Sequence, residues 1–311
     1  MREAIDVCIC AFRRESLSET LASIAAQVAP NLDIRVIVAD NDDTDRRRAA
    51  IKAHGATLGL SLKYIHAPAR NISIARNACL DEATSEWIAF IDDDEVARPE
   101  WLANLVAART GMDVIFGVSQ ACYGPEAPKW IVEGDFHSNR ISRSDPSWNG
   151  YTANVLMNRR TIKREGLRFS EALGQTGGED TMLFFEAHQS GARFGYAPDA
   201  IVDEPTPPAR ASLRWLLLRR FRSGQIHYML LKHSTGAAGG AVAAGLKAGW
   251  CSTRAFLALA NFPRAAEHLL RGSLHLGVVA AGIGIAPYRE YGKTEATRQK
   301  SGRETVELDK I

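Results

Sequence analysis

The sequence predicts an α/β fold: a Rossmann-like, mainly parallel sheet flanked by helices and followed by a helical extension. Three observations predict it. Over the first 120 residues, short β-rich runs alternate with amphipathic helical stretches. The strand runs are apolar throughout, the pattern of a sheet covered on both faces. From residue 209 the composition turns to Leu, Ala and Arg and reads as helix.

Strands are expected over residues 5–10, 34–39, 62–66, 87–91 and 114–118, with helices between them over 16–27, 45–54, 72–83 and 99–108. Ser16 stands three residues before Glu19, the spacing of a capping box, and Pro99 suits a first helical turn. Strand–helix–strand alternation builds parallel sheets, and in these, ligands gather beyond the carboxyl ends of the strands. Residues 11–13 follow the first strand, Asp40 ends the second and Asp92 follows the fourth. All should meet at one edge. Residues 120–205 are less periodic and read as mixed strands and loops.

The composition, 46% hydrophobic and 24% charged, excludes a disordered or collagenous chain. The five cysteines (Cys8, Cys10, Cys79, Cys122 and Cys251) are scattered without a C-x-x-C pair, so free thiols are expected. Cys8 and Cys10 should share one strand face. The N-terminus shows no apolar core with a cleavage site, which predicts a chain that stays inside the cell. The overall charge of +2 hides an asymmetry: residues 209–272 hold ten bases against the single acid Glu267, a net of +9, leaving −7 elsewhere. Such a stretch suits anionic lipid headgroups or phosphorylated substrates. Nucleic acid is not expected, because no aromatic-rich single-strand platform or helix-turn-helix pattern accompanies the bases.

The chemistry concentrates in Phe90-Ile91-Asp92-Asp93-Asp94-Glu95. Adjacent carboxylates repel one another unless a cation or a donor-rich ligand compensates. Oxygen donors of this kind favour Mg²⁺ or Mn²⁺, ions that bridge the phosphates of a nucleoside diphosphate. Read alone, the triplet is more readily a solvated acidic turn that caps the next helix; its place directly after an apolar strand favours the metal site. Asp40 could accept hydrogen bonds from ribose hydroxyls or a base imide, or be a loop carboxylate. Arg76, in Asn71-Ile72-Ser73-Ile74-Ala75-Arg76-Asn77, could fork diphosphate oxygens or be an ordinary helix arginine. In Gly177-Gly178-Glu179-Asp180, either carboxylate could serve as general base or simply complement a helix dipole. His137 and His227 read as structural before they read as ligands. There is no G-x-S-x-G elbow, P-loop or H-E-x-x-H.

Together these motifs resemble glycosyltransferase family 2, inverting enzymes with the GT-A fold. The resemblance runs through Val7-Cys8-Ile9-Cys10-Ala11-Phe12-Arg13-Arg14, Val38-Ala39-Asp40-Asn41, the Asn71–Asn77 segment and the triplet, and covers roughly residues 5–292. Within the family the chain is most similar to ExoM-type glucosyltransferases of succinoglycan exopolysaccharide assembly. Tyr123-Gly124-Pro125, Gly134-Asp135-Phe136-His137-Ser138 and Arg219-Arg220-Phe221-Arg222-Ser223-Gly224-Gln225 carry that likeness.

The resemblance implies a GT-A catalytic domain over 1–208, with a nucleotide-binding half at 1–120 and an acceptor half at 121–208. A basic helical, membrane-associating region at 209–292 and a polar tail at 293–311 follow. It further implies that Phe12, Arg13, Asp40, Arg76, Asp92 and Asp93 face the donor nucleotide, that Asp92 and Asp94 hold a divalent metal (Mn²⁺ or Mg²⁺), and that Asp180 is the base supported by Glu179. Arg219 and Arg222 fall where the leaving diphosphate is stabilised. Asp93 occupies the middle of the D-x-D, so the pair that holds the metal stays open. A Q-x-x-R-W sequence is absent, which favours transfer of a single sugar.

The implied partners are a nucleotide-sugar donor, UDP-glucose by the resemblance, a polyprenyl-diphosphate-linked oligosaccharide acceptor, and an anionic membrane surface. Residues 272–288 are uncharged but short and glycine-rich for a membrane span. A buried or interfacial helix is expected there, with peripheral association at the cytoplasmic leaflet. A non-catalytic nucleotide-binding GT-A scaffold and a nucleotidyltransferase are the alternatives. The second would want a glycine-rich loop after the first strand, where Ala11-Phe12-Arg13-Arg14-Glu15 has no glycine.

Overall fold

The computed structural model describes residues 2–140, 149–233 and 237–286. The elements follow in the order β1 (Glu3–Ala11), α1 (Leu17–Ala25), β2 (Leu32–Asp40), α2 (Arg48–Thr57), β3 (Ser61–His66), α3 (Ile72–Glu82), β4 (Trp87–Asp92), β5 (Val96–Ala97) and α4 (Trp101–Ala107). There follow β6 (Val114–Tyr123), α5 (Lys129–Gly134), β7 (Asn154–Asn158), α6 (Arg159–Arg164), α7 (Glu179–Gln189) and β8 (Phe194–Thr206). Three long helices close the chain: α8 (Leu213–His233), α9 (Ala237–Leu257) and α10 (Phe262–Gly282).

One eight-stranded sheet runs in the order β3-β2-β1-β4-β7-β6-β8-β5. Strands β3, β2, β1 and β4 are parallel. β7 enters antiparallel to both β4 and β6, and β8 then pairs parallel with β6. The parallel half is the region of strand–helix alternation, and the reversal falls in the less periodic stretch.

The unbroken apolar strands are explained by two cores. Val7, Ile9, Val36, Val38 and Ile91 face α1 and α4, where Leu21, Trp101 and Leu105 are buried. Cys8, Cys10, Ile37, Ala39 and Phe90 face the opposite side, where Ala75 and Cys79 of α3 and Leu183 and Phe184 of α7 pack. Alternate residues of each strand thus go to different cores. All five cysteines are free thiols.

Two local expectations are corrected. Ser16 forms no capping box; its hydroxyl donates to the Asp93 carbonyl oxygen at 2.9 Å, a tertiary bond that ties the start of α1 to the triplet. Pro99 lies outside the first helical turn, since α4 begins at Trp101.

Helices α8 and α10 pack on one another, and α10 packs on α9. Ile131, Ala211, Leu216 and Leu270 form a third, smaller core that joins α5, α8 and α10. The uncharged stretch from residue 272 is the second half of α10, where Gly277, Val278 and Ala280 are buried. Its last two residues, and the tail from 293, lie outside the described residues. Among the described residues no helix is long and apolar enough to cross a membrane.

Candidate active site

The carboxyl ends of β1, β2 and β4 bring the predicted residues to one edge: Ala11 is in register with Asp40, and Cys10 with Asp92. Beyond β1 the chain turns through Arg13, which adopts a left-handed φ of 58°. That turn directs the Phe12 N–H to Asp93 Oδ2 at 3.0 Å. The Arg13 guanidinium lies over the Phe12 ring, 5.1 Å from its centroid, and its Nε donates to Asp42 Oδ1 at 2.8 Å. Asp40 is fully buried. Its Oδ2 accepts from the Tyr64 hydroxyl at 2.8 Å and its Oδ1 from the Asp42 N–H at 3.1 Å, so the carboxylate braces this turn from within.

The three aspartates separate. Asp92 and Asp94 line a cavity of about 280 Å³. Asp93 is turned inward beside Arg14 (3.5 Å), and burial pushes its carboxyl up to about 6. Arg14 also pairs with Asp94. Glu95, almost fully buried, accepts the Asp92 N–H at 3.1 Å and fixes the turn; burial, then the charges of Asp92 and Glu204, raise its pKa.

Helix α3 is capped by Asn71, whose side chain accepts the N–H groups of Ser73 and Ile74. One turn later stands Arg76, buried against the Phe169 ring. Its Nη1 reaches Glu179 Oε1 at 2.5 Å and its Nη2 lies 3.8 Å from Asp92 Oδ1. Arg76 therefore links the triplet to the start of α7. Gly177 and Gly178 enter α7 with φ of 85° and 96°, a conformation side chains resist, and Gly178 lies against Ile226 of α8. The turn delivers Glu179 and Asp180 together. Burial, reinforced by Asp180 and opposed by Arg76, lifts the Glu179 carboxyl to about 7. Burial likewise raises Asp180, which accepts the Thr181 N–H at 2.7 Å. Raised carboxylates beside a cavity suit proton transfer.

Helix α8 supplies the opposite wall. Arg222 donates to the Thr176 carbonyl oxygen at 3.3 Å, and Arg219 lies 5.3 Å over the Trp215 ring. Asp92, Asp94, Arg76, Asp180, Arg219 and Arg222 all line the cavity. Phe12, Arg13, Asp40 and Asp93 form the turns beneath its edge rather than its walls. His137 is buried, stacked on Trp215 and held between Tyr123 and the Arg210 carbonyl oxygen, a structural position. His227 is exposed at the cavity margin.

Reading the sequence passes over Arg14, Glu204 and Trp215, which also line the cavity. Arg14 was visible beside Arg13. Glu204, whose pKa burial raises, sits in β8 without any motif.

Residues 6–166 match the profile of "Glycosyl transferase family 2". The succinoglycan biosynthesis protein ExoM of Rhizobium meliloti (strain 1021) is 42% identical, over 94% of this chain and 97% of that protein. The chain belongs to glycosyltransferase family 2. It is an ExoM-type member, related to exopolysaccharide biosynthesis. Its fold is the GT-A fold of solved glycosyltransferases. The mannosyltransferase PcManGT of Pyrobaculum calidifontis, in complex with GDP-Man and Mn²⁺, superposes with a TM-score of 0.63 at 20% identity, covering 90% of this chain and 87% of that one. S. aureus TarS 1-349 in complex with UDP-GlcNAc gives 0.54 at 14% identity, covering 94% and 99%.

Among the described residues no group of three or more His, Cys, Asp or Glu could hold a metal ion by itself, so a divalent cation here would rest on two carboxylates. Asp92 and Asp94, two residues apart, present hard carboxylate oxygens to one cavity, with side chains 42% and 22% exposed. Mg²⁺-type sites commonly take one or two carboxylates and complete their shell with phosphate oxygens and water.

Proposed function

We propose that this family 2 enzyme is an inverting, metal-dependent hexosyltransferase that moves one sugar, glucose from UDP-glucose in the first instance, to a polyprenyl-diphosphate-linked oligosaccharide at the inner face of the plasma membrane. The observation that carries this reading is the shared cavity, with the raised carboxylate Asp180 beside the aspartate pair and the arginines of α8. Asp180 accepts the proton of the acceptor hydroxyl as that oxygen attacks the anomeric carbon. The bond to the diphosphate breaks in the same displacement, and a single displacement inverts the anomeric configuration. Arg219 and Arg222 receive the departing charge. Asp92 and Asp94 would hold the divalent ion, which when bound neutralises part of the diphosphate charge. Glu179 and Arg76 position Asp180 and Asp92 relative to one another. Asp40, Asp93, Phe12 and Arg13 shape the nucleotide side by fixing the two turns beneath it.

Incubation with a panel of sugar nucleotides and a lipid-linked acceptor extract, with and without Mn²⁺, tests the reading. Metal-dependent release of nucleoside diphosphate supports it. Pyrophosphate release would instead indicate nucleotidyl transfer, and tight binding without turnover a scaffold.

A further inference from the structure

Helix α9 packs inside out. Its buried residues are small: Ala244, Ala248, Cys251 and Ala255. They lie against α10, where Gly272 leaves room for the Cys251 side chain. Its large apolar residues point the other way: Val242, Leu246, Trp250, Phe256 and Leu257 are exposed, Leu246 by 75% and Trp250 by 66%. At about 3.6 residues per turn these five, with Gly249 and Thr253 between them, fall on one continuous stripe. Leu259 and Phe262 extend the exposed apolar surface around the turn into α10. Single exposed apolar residues are ordinary, but a contiguous stripe of this size marks a surface that something covers.

The flanking charge says what covers it. Helix α9 contains no acidic residue. Lys247 and Arg254 stand along one edge of the stripe, Arg254 over the Trp250 ring at 5.9 Å. A second copy packed antiparallel across a two-fold axis would bring these cations together, whereas an anionic bilayer complements them. Aromatic and aliphatic residues on one face with bases beside them describe a helix that lies in the lipid interface.

We propose that the outer face of α9, continued through Leu259 and Phe262, docks the enzyme on an anionic lipid bilayer. The proposal rests on the reading of a lipid-linked acceptor and deepens it. Because α9 packs on α10, and α10 on α8, the docked face is held in fixed relation to Arg219 and Arg222.

Co-sedimentation with phosphatidylglycerol–phosphatidylcholine vesicles tests this without any sugar transfer. The full chain should bind these vesicles, bind pure phosphatidylcholine vesicles far less, and lose binding as salt rises. The double variant Leu246→Glu/Trp250→Glu should weaken binding on the order of 100-fold. Lys247→Glu/Arg254→Glu should abolish the preference for anionic lipid. Both should keep the parent's melting temperature and its rate of nucleoside diphosphate release without vesicles. The proposal is overturned if the parent ignores anionic vesicles, if Leu246→Glu/Trp250→Glu binds them as the parent does, or if sedimentation shows a parent dimer that this variant splits. Vesicle binding by a chain that releases no nucleoside diphosphate would defeat the transferase reading and leave the surface standing.

Discussion

Three adjacent aspartates have one chemistry in the sequence and two in the fold. Asp93 turns inward and accepts the Phe12 N–H, while Asp92 and Asp94 line the cavity with Arg76 and Arg14 beside them. Asp93 should therefore carry a pH signature. It titrates at about 6 in the fold against 3.8 for an ordinary aspartate, so the folded chain holds the extra proton between those values. The stability this gives is present below the lower value and is lost as pH rises through the upper one. Asp93→Asn keeps an acceptor for Phe12 and has no charge to bury. Thermal melts across the pH range should show the variant gaining on the parent between those two values, by at most about 3 kcal/mol, and no further above them. A second residue-scale prediction concerns the base. Asp180→Asn should lower transfer about 10²–10⁴-fold while nucleoside diphosphate affinity, measured by calorimetry, changes little. Equal losses of binding and turnover would remove Asp180 from that role.

At the scale of elements, α8 carries its arginines to the site because α10 lets it come close. A methyl group on Gly224 would collide with the Leu274 carbonyl oxygen, and one on Gly277 with that of Phe221. Gly224→Ala should force the helices apart, cost about 1–3 kcal/mol by denaturant unfolding, and lower turnover by displacing Arg219 and Arg222, which stand on the same helix. This contact was not legible in the sequence, where two glycines fifty-three residues apart carry no signal of meeting. What was legible were the elements whose physics is local. The apolar runs of β1, β2 and β4 announced a doubly covered sheet, and their carboxyl ends met as expected. The division of the triplet was not readable, because it depends on the Phe12 N–H arriving from β1, eighty-one residues away. The engagement of Arg76 by Glu179 spans a still longer separation. In the helical region, uncharged length drew attention to residues 272–288. Within it α10 buries Gly272, Gly277, Val278 and Ala280 while Leu276, Ile283 and Ile285 stay exposed, and α9 adds a continuous stripe of exposed apolar residues that the sequence reading did not single out.

For the molecule as a whole, the cavity has one wall from the sheet edge and another from α8, so a ligand that fills it binds both walls at once. The sheet edge contributes Asp92 and Asp94, each beside an arginine (Arg76 and Arg14) that offsets part of its charge, and α8 contributes Arg219 and Arg222, so a diphosphate is drawn most directly to α8 and a cation strengthens its hold at the acids. Nucleoside diphosphate should therefore stabilise the whole chain strongly only when Mn²⁺ is present. At a hundredfold excess over its dissociation constant, the stabilisation is about 2.7 kcal/mol, readable as a single shifted melting transition. Chelation of the metal should return the melt close to that of the unliganded chain. Asp92→Asn/Asp94→Asn should lose the metal-dependent part of the shift, and Arg219→Ala/Arg222→Ala should reduce the shift with or without metal. A full shift in the presence of chelator would show that the acidic wall needs no cation to accept the diphosphate, and the metal would leave the mechanism.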